Sequence, residues 1–167
     1  MIYVFYGNGG GKTIAALGLA LRARGHSRRV VIVQFMKNFK EAGEYRIAKK
    51  IGYQIYQFGR KEFVDIDHPD PKDYELALKG LEKARSVLKT SPQLLVLDEI
   101  NLACAVGLVK EKDVIALLKK APKGTDIVLT GRMAPDSFIK LADGVSEIVK
   151  IKHAYDRGIK AKRGIEY

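Results

Sequence analysis

The sequence predicts an α/β fold, with a mostly parallel central sheet of about six strands and helices on both faces. Short runs rich in β-branched residues alternate with longer segments that carry apolar residues at helical spacing. Several of these runs are apolar throughout, which is typical of strands buried on both faces of a parallel sheet. The first run leads directly into a glycine-rich loop that opens a helix, and this strand–loop–helix unit belongs to the same class of folds.

In the first half of the chain, glycine and charged residues separate the predicted elements. The first helix ends near Gly25, because glycine commonly terminates helices. The loop at 59–71 contains two prolines and many charged residues, so we expect it to be exposed. The predicted strands are 2–6, 29–35 and 53–58, and the predicted helices are 12–23 and 41–50.

In the second half, a long amphipathic helix precedes the most apolar strand of the chain. The helix carries apolar residues at helical spacing and ends before Ser91 and Pro92, because the residue before a proline disfavours helix. The predicted strands are 94–97, 126–130 and 145–151, and the predicted helices are 73–89, 102–106, 111–120 and 136–141.

The composition is that of an ordinary globular protein, and at 167 residues we expect one domain spanning 1–167. No apolar run is long enough to cross a bilayer, and no signal-peptide pattern is visible. The single cysteine, Cys104, cannot form an intrachain disulfide and lies among apolar residues. We therefore expect a buried, inert thiol and a cytoplasmic location.

The net charge of +11 suits a polyanionic ligand such as ATP or a nucleic acid. The lysines and arginines are spread along the chain, with one cluster at 150–163. Dispersed lysines are typical of a solvated surface, and few aromatic residues accompany the basic cluster. The pattern therefore favours a nucleotide over a nucleic acid.

The glycine-rich loop at 7–13 reads Gly-Asn-Gly-Gly-Gly-Lys-Thr. Its glycines allow backbone N–H groups to face a phosphate, and the helix N-terminus adds partial positive charge at the same place. In the usual phosphate-loop pattern a glycine stands five positions before Gly11, where this chain has Tyr6, so the loop is one residue short. We expect Lys12 to reach the outer phosphates and the Thr13 hydroxyl to hold magnesium.

Asp98 and Glu99 follow the most apolar strand, at the sheet edge where ligands of open α/β sheets bind. One of these carboxylates, together with Thr13, would complete a magnesium site of hard oxygen ligands. The structural alternative is a helix cap followed by a first-turn acid.

Arg132 follows another strand at the same edge, and its guanidinium could bind a phosphate through two parallel hydrogen bonds. A surface arginine is the alternative. The three histidines, His26, His68 and His153, have no metal-ligand spacing with one another or with Cys104, so no zinc site is expected.

These residues together resemble the ATP:corrinoid adenosyltransferases of the enteric P-loop type, which act on cob(I)alamin or cob(I)yrinic acid a,c-diamide. The resemblance covers nearly the whole chain, and the shortened glycine loop is itself the family's form. Its most specific part is the tail at 149–167, and it also includes the segments at 7–16, 22–26, 33–35, 96–99, 129–132 and 141–143.

The resemblance implies a RecA-like fold and an unusual use of ATP. The Co(I) of a reduced corrinoid attacks the ribose C5′, and the whole triphosphate leaves. Because Co(I) is already a strong nucleophile, no general base is needed, and the protein must position C5′ and stabilise the departing charge. The resemblance also implies magnesium, a flavoprotein-type reductase as electron donor and a homodimer.

Site residues follow from the same resemblance. Lys12, Arg132 and, after the third strand, Phe63 are the catalytic candidates; the alternative for Phe63 is a hydrophobic plug under its loop. Thr13, Glu99 and Asp98 are the candidate metal ligands, and His153, Lys160 and Tyr167 belong to the tail signature. The ATP-binding candidates are Gly7, Asn8, Gly9, Gly10, Gly11, Lys12, Thr13 and Arg22.

The sequence departs from the family pattern inside the loop. Gly10 stands where relatives usually have a lysine, and Ile14 replaces a second threonine, so ATP affinity is expected to be weaker. Two other functions stay open on the residues alone. A P-loop ATPase or small-molecule kinase would use Asp98 or Glu99 to orient water or an acceptor hydroxyl, and a nucleotide-dependent nucleic-acid binder would bind DNA or RNA in a salt-sensitive way.

Overall fold

The computed structural model describes residues 1–167 as a three-layer α/β structure around one six-stranded sheet. All six strands pair in parallel, in the order β3-β2-β4-β5-β1-β6. The elements are β1 Ile2–Tyr6, α1 Lys12–Gly25, β2 Val30–Phe35, α2 Gly43–Ile51, β3 Gln54–Phe58, α3 Pro71–Leu88, β4 Leu94–Asp98, α4 Ile100–Ala105, α5 Glu111–Lys119, β5 Asp126–Thr130, α6 Asp136–Leu141 and β6 Gly144–Glu147, followed by a 3-10 turn at Ala154–Arg157. This confirms the predicted α/β class.

Apolar side chains cover both faces of the sheet, because residues along a strand point alternately to opposite sides. On one face, Val31, Val33 and Phe35 of β2 join a cluster of 21 buried residues under α3, α4 and α5. On the other face, Val30 and Ile32 join a cluster of 9 buried residues under α1 and α2. This double burial explains why the central strands read as continuous apolar runs.

The sheet register brings the ends of four strands to one edge. Gln34 of β2 lies beside Asp98 of β4, and Phe5 of β1 lies beside Thr130 of β5. The strand β5 stands between β1, which leads into the glycine loop, and β4, which ends at Asp98. The carboxyl ends of these parallel strands therefore form one edge, directly under the loop.

Helix α3 begins two residues earlier than the sequence predicts. The Asp70 side chain accepts a hydrogen bond from the Lys72 backbone N–H at 2.7 Å, and the Asp73 side chain accepts one from the Asp70 N–H at 3.0 Å. This reciprocal capping box, with Pro71 as the first helical residue, satisfies N–H groups that the helix cannot.

The last strand is shorter than the predicted 145–151, and this prediction was wrong at its C-terminal end. The strand β6 ends at Glu147. Beyond it the Ile148 carbonyl accepts a hydrogen bond from the Gly9 N–H at 2.7 Å, and the Lys150 N–H donates to Asn8 Oδ1 at 2.9 Å. The segment therefore pairs with the glycine loop, which the sequence pattern does not reveal. No helix of the structure is both long and apolar enough to cross a membrane.

Candidate active site

The glycine loop connects β1 to α1 in a conformation that depends on glycine at two positions. Gly7 has φ of 108° and Gly11 has φ of 106°, a left-handed region that other residues rarely adopt. A Cβ at Gly7 would also lie 2.5 Å from the Ile148 carbonyl oxygen. The Gly7 N–H donates to the Arg132 carbonyl at 2.9 Å, so the backbone of Arg132 is fixed against the loop.

The Gly9 amide does not face the open side of the loop. It donates to the Ile148 carbonyl, whereas the glycine pattern predicts that the loop amides face a phosphate together. The tail segment thus takes up one of the loop's donors. Any phosphate bound here depends more on the other loop amides and on the side chains around them.

Lys12 begins α1, and its ammonium folds back onto the loop. Its Nζ donates to the Gly9 carbonyl oxygen at 2.6 Å, and the residue is only 7% exposed. Burial lowers the pKa of Lys12, with a further lowering from the positive charges of Arg132 and Lys37, and the carboxylates of Glu99 and Asp98 oppose this shift. An ammonium held this way lacks a full complement of anionic partners and suits a phosphate.

Asp98 lies fully buried at the end of β4 and accepts four hydrogen bonds. Its Oδ1 accepts from the hydroxyls of Thr13 at 2.9 Å and Thr130 at 2.6 Å. Its Oδ2 accepts from Lys37 Nζ at 2.7 Å and Gln34 Nε2 at 3.0 Å. Burial by itself raises the pKa of Asp98, but the Lys37 ammonium and the hydrogen bonds outweigh it and hold the pKa below its ordinary value.

The next residue, Glu99, has a carboxylate oxygen that lacks the hydrogen bonds made by Asp98. Its backbone has φ of 64°, a strained conformation for a residue with a side chain. Its Oε2 is buried and has no hydrogen-bond partner. Burial, reinforced by the negative charge of Asp98, raises the pKa of Glu99. A carboxylate oxygen left unpaired at a strained position is a natural ligand for a bound cation.

The oxygen atoms at this edge fit magnesium, and they favour Glu99 over Asp98 as the carboxylate that the sequence pairs with Thr13. Thr13 and Glu99 both line the cavity described below, and the orphaned Glu99 Oε2 is free to accept a metal. Asp98 is fully buried and its oxygens are already hydrogen-bonded, so direct coordination by Asp98 would require it to give up those bonds. Mg²⁺ commonly uses one or two protein oxygens together with phosphates and water, which Thr13 and Glu99 match.

A cavity of about 1290 Å³ opens above the loop and brings most of the predicted site residues together. Its floor is the glycine loop with Lys12 and Thr13, and its walls come from the end of β4, from the long loop before α3 and from the C-terminal tail. The sequence-predicted residues that line it are Asn8, Gly9, Gly10, Gly11, Lys12, Thr13, Phe63, Glu99, Arg132, His153 and Tyr167.

Four predicted site residues do not line this cavity. Gly7 and Asp98 lie behind its wall, where they shape the loop and hold Thr13. Arg22 is an exposed residue near the end of α1, about 15 Å along the helix axis from Lys12, so within one copy it does not reach the loop. Lys160 is exposed in the tail and also lies outside the cavity. The tail signature therefore includes residues that line the cavity and at least one, Lys160, that does not.

Phe63 is 99% exposed and stands at the cavity wall, so it is not a plug under its loop. The loop that carries it is anchored at its base. Arg60 donates from Nε to Asp73 Oδ1 at 2.8 Å and from Nη2 to Asp73 Oδ2 at 3.0 Å, and the Asp73 side chain is buried. This two-point ion pair holds the loop while its aromatic tip remains free for a ligand.

The tail places two aromatic rings of the signature at the cavity. His153 Nδ1 accepts a hydrogen bond from the Tyr155 N–H at 3.1 Å, and its Nε2 lies 3.4 Å from the position of a Cβ at Gly10. The Tyr167 ring packs against Phe39, with 5.2 Å between ring centroids. The tail is therefore part of the site wall.

Two polar residues of the site were missed by sequence reasoning. Gln34 is fully buried in β2, and Lys37 follows that strand and reaches Asp98. A glutamine inside an otherwise apolar strand was the available signal, because buried amides have hydrogen-bond partners nearby. Lys37 resembles an ordinary loop lysine, and only the pairing of β2 with β4 reveals its position.

Cys104 on α4 is half-buried and not at the cavity. Burial raises the pKa of its thiol to about 12, so the thiol is protonated at neutral pH. This agrees with the expectation of an inert cysteine.

The parallel sheet, the glycine loop opening α1 and the acidic end of β4 define a P-loop nucleotide-binding α/β protein. The whole chain, residues 1–167, matches the model of the family described as ATP:corrinoid adenosyltransferase BtuR/CobO/CobP. The protein belongs to this family of transferases.

Relatives agree over the full length of the chain. The corrinoid adenosyltransferase of Escherichia coli K12 is 32% identical over 167 residues, which is 100% of this chain and 85% of the relative. The corrinoid adenosyltransferase CobA of Salmonella typhimurium is 35% identical over 167 residues, again 100% of this chain and 85% of the relative. That of Pseudomonas aeruginosa is 32% identical over 175 residues, or 100% of this chain and 83% of the relative. These findings favour ATP-dependent adenosyl transfer to a corrinoid over the ATPase or kinase alternative.

Proposed function

We propose that ATP and a reduced corrinoid meet in the cavity above the glycine loop, and that the 5′-deoxyadenosyl group passes to cobalt while intact triphosphate leaves. One observation carries this proposal: a single cavity joins cations suited to phosphates, at Lys12 and Arg132, to the aromatic side chains Phe63 and Tyr167. The first set suits the leaving group, and the second suits a large planar acceptor.

The reaction needs little from the protein as an acid or base. The electron pair of Co(I) forms the Co–C5′ bond, and the C5′–O bond breaks with its electrons on the triphosphate oxygen. No proton is transferred in this step. The protein contributes by fixing the line of attack and by stabilising negative charge on the leaving group.

Charge on the leaving triphosphate is stabilised by side chains that converge on the loop. Lys12 turns from the Gly9 carbonyl to a phosphate oxygen, and Arg132 offers a second cation whose backbone is fixed by Gly7. Thr13 and Glu99 hold Mg²⁺, which supplies further positive charge to the phosphates when bound. Asp98 orients the Thr13 hydroxyl from behind.

The corrinoid contacts come from aromatic side chains that line the same cavity. Phe63 meets the ring from its exposed loop, and His153 and Tyr167 border the same space. A reductase of the flavoprotein type supplies the Co(I) state. The chain works as a homodimer of single-domain copies in the cytoplasm; the exposed apolar residues Ile14 and Leu21 on α1 suit a contact between copies.

The decisive experiment is product analysis with ATP, Mg²⁺ and chemically reduced cob(I)alamin under strict exclusion of oxygen. We expect a light-sensitive adenosylated corrinoid and free triphosphate in equal amounts. ADP and phosphate with an unchanged corrinoid would contradict the proposal and restore the hydrolase or kinase alternative. Parallel reactions with cobinamide and with cob(I)yrinic acid a,c-diamide would identify the preferred acceptor.

A further inference from the structure

We propose that the ammonium of Lys37 occupies the cation position of the nucleotide-free site, so that a divalent cation enters only together with the nucleotide. Lys37 is thereby a positioning residue that makes metal binding conditional on ATP. The inference rests on the magnesium role of Thr13 and Glu99 proposed above.

The geometry puts Lys37 against Thr13, one of the two proposed metal ligands, and against the buried carboxylate of Asp98. Its Nζ lies 2.7 Å from Asp98 Oδ2 and 3.1 Å from Thr13 Oγ1. Thr13 is a proposed metal ligand, and Asp98 is the carboxylate that orients it from behind. A positive charge already stands on the oxygens that would draw a free cation into the apo site.

The backbone of Lys37 has little freedom to withdraw. Met36 holds a left-handed φ of 55°, and its N–H donates to the Phe58 carbonyl at 2.8 Å. Gly59 lies so close that a Cβ there would stand 2.4 Å from the Lys37 backbone nitrogen. The turn after β2 is therefore packed against the end of β3. The backbone of Lys37 is fixed, so its ammonium can move only through rotations of the side chain.

Charge balance in the buried cluster explains why the ammonium stays. Lys37 Nζ forms an ion pair with Asp98 Oδ2 at 2.7 Å, and the Asp98 side chain is only 1% exposed. Withdrawing the ammonium would leave a buried carboxylate without its counter-charge. A divalent cation beside this ammonium would meet strong repulsion at a distance of a few ångströms.

ATP changes this balance because its triphosphate brings negative charge of its own. The phosphates can attract Lys37 away from Thr13 and Asp98, or share it with them, while offering oxygens to the metal. Metal and nucleotide then bind with positive coupling, and each raises the affinity for the other by the same factor.

The test is Mn²⁺ binding, followed by the loss of the free-ion signal in electron paramagnetic resonance. For the wild-type protein we expect no saturable binding without nucleotide and clear binding with ATP. For Lys37→Met without nucleotide we expect Mn²⁺ affinity to rise at least about tenfold, because the repulsion is gone and Asp98 is left unpaired. Thermal unfolding should then show Mn²⁺ stabilising K37M alone.

Matched variants separate charge from fold. Lys123 is exposed and its side chain makes no hydrogen bond or ion pair, so Lys123→Met removes the same charge elsewhere and should behave as wild type. Lys37→Arg keeps the charge and should still exclude Mn²⁺. Adding Asp98→Asn to Lys37→Met should abolish the gained affinity, because the carboxylate that attracts the ion is lost.

Saturable Mn²⁺ binding to the nucleotide-free wild type, as tight as its binding in the presence of ATP, would overturn the inference, and this arm needs no variant to fold. Equal Mn²⁺ affinities of K37M and K123M would also overturn it. Failure of the wild type to bind Mn²⁺ even with ATP would instead contradict the proposed magnesium role, so the two failures are distinguishable.

Discussion

The Nζ of Lys12 lies 2.6 Å from the carbonyl oxygen of Gly9 within the same loop. The lysine thus satisfies one hydrogen bond internally, and phosphate binding has to exchange this neutral acceptor for an anionic one. Because the phosphate is anionic, it adds a Coulomb attraction to the ammonium that the neutral carbonyl lacks, so the exchange favours the bound state.

Lys12→Ala should therefore abolish ATP binding and adenosylation together. We expect at least about a hundredfold loss of kcat/KM, in keeping with the removal of a charge that stabilises a transition state. Isothermal titration with ATP and triphosphate, beside the exposed Lys123→Ala control, measures the binding part. Full adenosylation by K12A would contradict the phosphate role of Lys12.

Glycine substitutions at Gly7 and Gly10 should differ sharply in cost. Gly7 has a left-handed φ of 108°, and a Cβ there would lie 2.5 Å from the Ile148 carbonyl oxygen. Gly7→Ala should cost roughly 2–5 kcal/mol of unfolding free energy. Gly10 has an ordinary φ, and a Cβ would meet only His153 Nε2 at 3.4 Å, so Gly10→Ala should stay within about 0.5 kcal/mol. Urea denaturation of both variants measures the difference, and equal stabilities would contradict the described loop conformation.

Asn8 ties the tail to the glycine loop through one side-chain hydrogen bond. Its Oδ1 accepts from the Lys150 N–H at 2.9 Å, and the neighbouring Gly9 to Ile148 bond continues the same contact. Asn8→Ala should cost about 1 kcal/mol locally and speed hydrogen exchange of the Lys150 amide. Hydrogen-exchange mass spectrometry measures this effect, with Gly10→Ala as the control. Unchanged exchange would show that the tail is held without Asn8.

Phe63 offers a substitution that separates ligand contact from folding. Because the side chain is 99% exposed, Phe63→Ala should change the unfolding free energy by less than about 0.5 kcal/mol. If Phe63 contacts the corrinoid, the variant should raise the corrinoid KM or lower kcat and leave ATP binding unchanged. Unaltered kinetics with both substrates would remove Phe63 from the site.

The fold was largely predictable from sequence because its determinants are local. Apolar runs marked the strands, and the Gly-Lys-Thr segment marked the start of α1. The end of β6 was not predictable. The Ile148 N–H still bonds to Tyr6 of β1, but the Ile148 carbonyl and the Lys150 N–H bond to Gly9 and Asn8 of the glycine loop, so the segment after Glu147 does not continue as a strand. Apolar character shows that a segment is buried or paired, and it does not identify the partner.

The site was predictable where one motif carries the chemistry and less so where residues meet through topology. Lys12, Thr13 and Glu99 were found from the loop and from the end of a strand. The position of Lys37 depends on β2 lying beside β4, and this strand order was not assigned from the sequence. Conversely, Arg22 follows the motif along the chain, but α1 carries it away from the cavity.

We expect the charge of Glu99 to lower the free energy of unfolding, although the same charge serves metal binding. The direction of its pKa shift determines how this destabilisation depends on pH. Burial raises its pKa in the folded state, so folding is favoured by protonation of Glu99 and disfavoured by its charge. The cost of this charge is absent below the ordinary glutamate pKa and complete above the raised folded value. Asp98 has the opposite dependence, with stability lost as pH falls, so the wild type at the same pH is the reference for a Glu99 variant.

Glu99→Gln should therefore be more stable than the wild type at neutral pH, by about 1 kcal/mol or roughly 2–4 °C in Tm. The difference should shrink toward zero as pH falls below the ordinary range for glutamate. In the same variant, adenosylation should require higher Mg²⁺, because a neutral amide replaces the carboxylate ligand. Calorimetry from acidic to neutral pH and a Mg²⁺ titration of activity measure the two effects. A stability gain that does not depend on pH, or an unchanged Mg²⁺ requirement, would contradict this account of Glu99.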